Sequence, residues 1–217
     1  RGKDIGILYD TNYEKDLMMY IGNIHDKVLE KAISEIKVGV TESKIADLVT
    51  STFREFGATN LGRPLIASGE YSAQPHYSAT EKEINDCESI ILDFGGIWEN
   101  YRSDMTRTVF LGNPNEEYLK IYDTVKKAQE AGVQSVKPGR TCEEIDQIVR
   151  KIIEKEGYGQ YFIHRTGHGI GLDDHEEPYI IEGNKLVLEP GMTFNIEPGI
   201  YIPRKYGVRI EDCVIVT

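Results

Sequence analysis

Five side chains of metal-binding type stand between residues 93 and 211: Asp93 in IILDFGG, Asp104 in SDMTRT, His168 in HRTGHGIG, Glu197 in FNIEPGIY and Glu211 in VRIEDCVIV. Four are carboxylates set inside apolar, β-branched runs, where a charge is costly unless a partner or cation compensates it. One such acid alone would read as a strand-end residue or a salt-bridge partner; Arg102 and Arg107 are near enough in sequence to serve Asp104. Four acids in matching contexts, with a histidine, read instead as a binuclear hydrolase centre. The set is hard and oxygen-rich, which suits Mn²⁺ or Co²⁺ ahead of Fe²⁺ or Zn²⁺. The acids outnumber what one ion needs, so some should bridge two ions about 3.5–4 Å apart. Water between such ions is deprotonated near neutral pH, and the reaction implied is hydrolysis by attack on a carbonyl.

The chain has only five histidines, so the remaining four matter. His76 lies in SAQPHYSAT, a loop between expected strands, and His164 and His175 flank His168 in HRTGHGIGLDDHEEP. Taken singly, each is explained as well by a loop histidine bonded to a carbonyl as by catalysis. A zinc pair on one helix face is disfavoured, because Gly167, Gly169 and Gly171 oppose a helix there. A dinucleotide fingerprint also fails, since Leu172 stands where the third glycine is needed. His25, on the first expected helix, reads as a surface residue.

The elements that must position these groups come in two copies. Residues 36–57 lie over residues 136–157 without a gap, matching Lys37, Gly39, Thr41, Ile45, Val49 and Gly57 with Lys137, Gly139, Thr141, Ile145, Val149 and Gly157. Each copy reads as a turn, a Thr N-cap and an amphipathic helix ended by Gly. A helix precedes each, at roughly 14–36 and 115–135, and a strand–connection–strand stretch follows each. Asp93 then corresponds to Glu197 and Asp104 to Glu211, one acid per strand. Two helix–helix–hairpin units in an α+β domain would bring four acids to the centre of a pseudo-twofold sheet.

A formal net charge of -11 with no basic stripe excludes a nucleic-acid surface. No apolar run reaches the roughly 20 residues of a membrane span, and RGKDIGILYD is not a signal peptide. Cys87, Cys142 and Cys213 form no C-x-x-C pair and read as buried free thiols of a cytoplasmic protein. Residue 1 is Arg, which suggests a fragment or a processed form.

Six ordered motifs (SGEYSAQPHY, ILDFGG, SDMTRTVFLG, HRTGHGIGLDDHEEP, NIEPGIY and GVRIEDCVIVT) make the chain resemble the pita-bread metallopeptidases. The resemblance is to the Xaa-Pro aminopeptidase and Xaa-Pro dipeptidase (prolidase) branch. It implies the α+β pita-bread fold, with the duplicated units (about 14–112 and 115–217) around a curved, mostly antiparallel sheet. It implies a single catalytic domain over 1–217, without the N-terminal domain usual in the family.

By the same resemblance Asp93, Asp104, His168, Glu197 and Glu211 hold two divalent metal ions per chain, Asp104 and Glu211 bridging them. His76 and His175 would contact the substrate carbonyl and the tetrahedral intermediate. Glu197 would also pass the proton from water to the leaving nitrogen. His164 and Arg209 match positions lining the substrate pocket.

The substrate implied is a proline-containing peptide, cut between its N-terminal residue and proline. Proline's imide nitrogen lacks an N–H, so peptidases that grip an extended backbone handle it poorly. Tyr77, Tyr101 and Tyr201 are candidates to stack on the ring. A dipeptidase must also bind a free carboxylate, for which Arg209, Arg165 and His164 are candidates. Two other readings are an inactive pita-bread peptide- or protein-binding module and a metal-independent creatinase-like hydrolase. Such proteins have no reason to keep all five ligands. A homodimer is left open.

Overall fold

Thr41 and Thr141 start equivalent helices for the same reason. The Thr41 hydroxyl accepts the Lys44 amide at 3.2 Å and caps α2 (Glu42–Glu55). Thr141 accepts the Glu144 amide at 3.3 Å and caps α4 (Cys142–Lys155), where Glu144 reaches back to complete a capping box. Ahead of each helix the turn glycine, Gly39 or Gly139, has φ of 86° or 85° and donates 2.9 Å to the carbonyl of Ile84 or Leu188. The computed structural model describes residues 12–59 and 62–217, so the reading of RGKDIGILYD lies outside the described residues.

The other two long helices are α1 (Asn12–Glu35) and α3 (Glu116–Ser135), close to the spans that periodicity predicts. The strands are β1 (Leu65–Ser68), β2 (Glu88–Trp98), β3 (Tyr101–Leu111), β4 (Gly167–Gly169), β5 (Glu176–Ile180), β6 (Thr193–Ile196), β7 (Gly199–Ile202), β8 (Tyr206–Arg209) and β9 (Asp212–Ile215). Their ladders, β1-β2-β3, β5-β4-β6-β9 and β7-β8, are antiparallel throughout. A bridge from Thr106 in β3 to Glu211 joins the halves.

Each helix pair covers its own hairpin. Ile21, Ile24, Val28 and Phe53 pack on Ile90 and Leu92 in the first half. Ile121, Val125, Ile145 and Val149 pack on Phe194 and Ile196 in the second. Complete burial of a side chain such as Phe53 contributes about 1.5–3 kcal/mol. His25 belongs to this core, contrary to the expectation of a surface residue. It is 4% exposed, edge-on to Phe53 and Phe94, with Nε2 3.1 Å from the Ser103 hydroxyl. It falls on the same helical stripe as Ile21, Ile24, Val28 and Ala32, so the spacing itself carries its burial. Among the cysteines, Cys142 is buried and Cys213 half-buried, but Cys87 is exposed, in a turn with φ of 59°.

The two hairpins differ where it matters. β2 and β3 run unbroken for 11 residues each, with Asp93 opposite Thr106 and Asp104 opposite Gly95. In the second half the ladder stops at Ile196↔Asp212 and resumes at Gly199↔Arg209, leaving Glu197 and Glu211 level with each other in the gap. Pro198, which has no N–H to donate, occupies the break. Glu197 and Glu211 therefore sit at strand ends rather than inside strands. By register, moreover, Glu211 corresponds to Thr106, and Asp104 lies two residues closer to its hairpin turn.

Candidate active site

Strand alternation and the gap in the second hairpin bring the sequence-identified acids to one cleft of about 570 Å³. Asp93 comes from β2, Asp104 from β3 and His168 from β4. Glu197 follows β6, and Glu211 precedes β9. All five line the cleft. Ligand atoms of Asp104, His168 and Glu211 lie within 4.8 Å of one another. His168 Nε2 is 3.6 Å from Glu197 and 4.0 Å from Asp104. His76, His164, His175 and Arg209 line the same cleft. His76 and His175 are exposed to it, and the His175 ring centroid lies 4.1 Å from that of His168.

Packing decides which atoms face inward. The Nδ1–H of His168 donates to the Gly169 carbonyl at 3.0 Å, which leaves the Nε2 lone pair toward the acids. Asn195 spans two of the five groups. Its carbonyl accepts the His168 amide at 2.7 Å, while its NH₂ meets His168 Nε2 at 2.9 Å and a Glu211 oxygen at 2.5 Å. Thr106 donates to the other Glu211 oxygen and accepts from Arg209 Nε at 3.1 Å. Arg209, 3% exposed, ion-pairs with Asp93 and donates to the Tyr201 hydroxyl at 2.9 Å and the Pro75 carbonyl at 3.3 Å. The Tyr201 hydroxyl in turn meets His164 Nε2 at 2.9 Å, and His164 Nδ1 donates to the Arg165 carbonyl at 2.7 Å. One hydrogen-bonded chain thus runs from His164 through the buried Tyr201 and Arg209 to Asp93.

Burial, followed by the charges of Glu211, Asp93 and Glu197, holds the Asp104 carboxyl well above the usual range. Burial and then Glu211 do the same for Glu197. Burial followed by Asp93 raises Glu211 to about 7. Burial pushes His168 down to about 3 and His164 to about 4, so both imidazoles are neutral at physiological pH. A neutral imidazole cannot offset the acids, and among the described residues only Arg209 makes an ion pair with one of them that does not depend on histidine charge. Four carboxylates and an inward imidazole lone pair form a donor set that fits divalent cations, with the Arg209 guanidinium as a counter-charge to Asp93.

Thr106, Asn195 and the role of Tyr201 went unrecognised in the sequence. The signal is a period of two: Thr106 stands two residues after Asp104, and Asn195 two before Glu197, where strand side chains share a face. None of the three tyrosines expected to stack on proline lines the cleft. Tyr77 stacks on Tyr71 and donates to Glu42 at 2.9 Å, and Tyr201 is 2% exposed. The apolar lining comes from Pro64, Leu65, Pro75, Phe94, Ile97 and Ile181 instead.

Among the described residues, no helix is long and apolar enough to cross a membrane. The chain is 43% identical over 216 residues to the Xaa-Pro dipeptidase of Pyrococcus furiosus, covering 99% of this chain and 62% of that protein. The solved prolidase from Pyrococcus furiosus superposes with a TM-score of 0.94 at 43% identity, covering 97% of this chain and 63% of the other. The X-Pro aminopeptidase from Thermotoga maritima MSB8 follows with a TM-score of 0.92 at 36% identity, covering 96% and 60%. The chain therefore spans about three-fifths of the length of these relatives. The pattern described as Metallopeptidase family M24 matches residues 16–217, and with its pita-bread fold the chain belongs to that family.

Proposed function

We propose that this chain carries the hydrolytic centre of a Xaa-Pro peptidase working with two divalent ions, Mn²⁺ or Co²⁺ ahead of Zn²⁺ or Fe²⁺. The observation that carries the reading is the convergence of Asp93, Asp104, His168, Glu197 and Glu211 on one cleft. These five residues would hold the ions. When bound, such ions supply Lewis acidity, lowering the pKa of water and offsetting charge on a carbonyl oxygen.

The chain's own residues do the rest. Glu197, its proton affinity raised by burial and Glu211, takes a proton from the attacking water and gives it to the leaving nitrogen. His76 and His175, exposed at the cleft, donate to the oxygen of the scissile carbonyl. Phe94, Ile97 and Pro75 give the pyrrolidine ring an apolar wall. His164 and Arg209 act through each other and Tyr201, fixing Asp93 and the cleft wall, rather than by gripping substrate. Residues 1–217 act as one catalytic unit, in a cytoplasmic protein.

The similarity to the Pyrococcus furiosus Xaa-Pro dipeptidase supports proline as the residue after the cut. The test is hydrolysis of alanyl-proline and alanyl-alanine by metal-stripped protein before and after adding Mn²⁺. Metal-dependent cleavage confined to the proline peptide is expected, and equal cleavage of both contradicts proline specificity.

A further inference from the structure

Resting on the role given to His76, we propose that Glu42 is the positioning residue that sets the His76 loop against the scissile carbonyl. The His76 ring is exposed to the cleft, so its place depends on the backbone that carries it. Residues 74–80 form neither helix nor strand, and side chains outside the loop supply its hold. On one side of His76, Arg209 donates to the Pro75 carbonyl at 3.3 Å. On the other, the Tyr77 hydroxyl donates to Glu42 at 2.9 Å.

Glu42 is the first residue of α2 and is fully buried. One of its oxygens accepts the Ser68 amide and the Ser68 hydroxyl, each at 2.8 Å. The other accepts the Tyr77 hydroxyl, the Thr80 hydroxyl at 3.1 Å and the Thr80 amide at 3.2 Å. Ser68 ends β1, and Thr80 closes the loop. A single carboxylate therefore ties together both ends of the stretch that carries His76.

The helix itself does not require this group. A buried carboxylate is costly unless hydrogen bonds compensate it. In the duplicated half the equivalent position, first in α4, is taken by the buried Cys142. The threonine cap recurs in both copies, whereas the carboxylate stands only where the His76 loop crosses the helix start. Its geometry is also exacting. Each oxygen accepts a backbone N–H, which cannot reverse its polarity. Either orientation of the amide in Glu42→Gln sets NH₂ against the amide of Ser68 or of Thr80. The loop must then shift, and a displacement of about 1 Å at a reacting group can cost about 100-fold in rate.

The test has two readouts. In metal-free protein carrying ¹³C-labelled histidine, the His76 ring signal is assigned by its loss in His76→Ala. Glu42→Gln should shift or broaden that signal and leave the core residue His25 unmoved. Tyr77→Phe, which keeps the Ser68 and Thr80 bonds, should do the same to a smaller degree and serves if Glu42→Gln does not fold. A His76 signal unmoved by these variants overturns the proposal. With Mn²⁺-loaded chain and alanyl-proline, Glu42→Gln should lower kcat about 10- to 100-fold with KM little changed. His76→Ala should cost about 100-fold, and the double variant no more than His76→Ala alone. Losses that multiply in the double variant would show a role independent of His76 and overturn the proposal. If wild type cleaves no Xaa-Pro peptide while the His76 signal moves as described, the peptidase reading fails and the hold of Glu42 on the loop stands.

Discussion

Asn195 holds His168 and Glu211 with a single carboxamide, so its removal should loosen two of the proposed ligands at once. Asn195→Ala is expected to weaken Mn²⁺ binding about 10- to 100-fold in calorimetry, with circular dichroism unchanged. Affinity equal to wild type would show that the ligands hold their places without it. His25 yields a pH prediction. Burial, then the charge of Arg107, pushes its pKa down to about 3, whereas an unfolded histidine titrates near 6.5. The unfolded chain binds this proton first, so the His25 contribution is intact above about pH 6.5 and lost as pH falls toward 3. His25→Gln cannot titrate. Its stability deficit at pH 8 should shrink on acidification, by up to about 1.4 kcal/mol per pH unit below 6.5 in urea unfolding. A deficit independent of pH would contradict the burial of a neutral imidazole. The acids of the cleft were legible because carboxylates are conspicuous in β-branched runs. Thr106 and Asn195 were not, because a Thr or Asn in a strand carries no such signal until its neighbour two residues away is known to be a ligand.

At the scale of elements, close backbone approach sets His168. A Cβ on Gly167 would lie 1.9 Å from the Asn195 carbonyl oxygen, so Gly167→Ala must push β4 off β6. We expect a loss of about 1–3 kcal/mol in denaturant unfolding. Because His168 is the next residue, Mn²⁺ affinity should fall as well. Stability and affinity both at wild-type level would mean that β4 is not seated as described. The helix pairs were readable from Thr caps, terminal glycines and apolar spacing, since those signals are local. The broken second hairpin was not. Pro198 hinted at a ladder interruption, but placing Glu197 level with Glu211 needs the register on both sides of the gap, which only pairing with distant residues fixes. The same register shows that the duplication is offset at the site, with Thr106 taking the place equivalent to Glu211.

For the whole molecule, burial and mutual repulsion make the acid cluster costly at neutral pH without cations. The folded pKa values of Asp104, Glu197 and Glu211 lie above their ordinary ones, Glu211 at about 7. Their contribution is therefore full below the ordinary carboxylate range and lost as pH rises through the folded values. Mn²⁺ must displace those protons at low pH but meets ionised ligands at high pH. The rise in melting temperature on adding Mn²⁺ should be larger at pH 8 than at pH 5.5. At about 100 times the dissociation constant the stabilisation is about 2.7 kcal/mol. An increment independent of pH would mean that the ions bind elsewhere. The measurement that tests the central claim most directly is hydrolysis of alanyl-proline, followed as metal-stripped protein is titrated with Mn²⁺ and the ions bound per chain are counted. The account predicts two ions per chain, activity that appears with loading, and loss of both in Glu211→Gln. No saturable binding, or full binding and activity in Glu211→Gln, would contradict it.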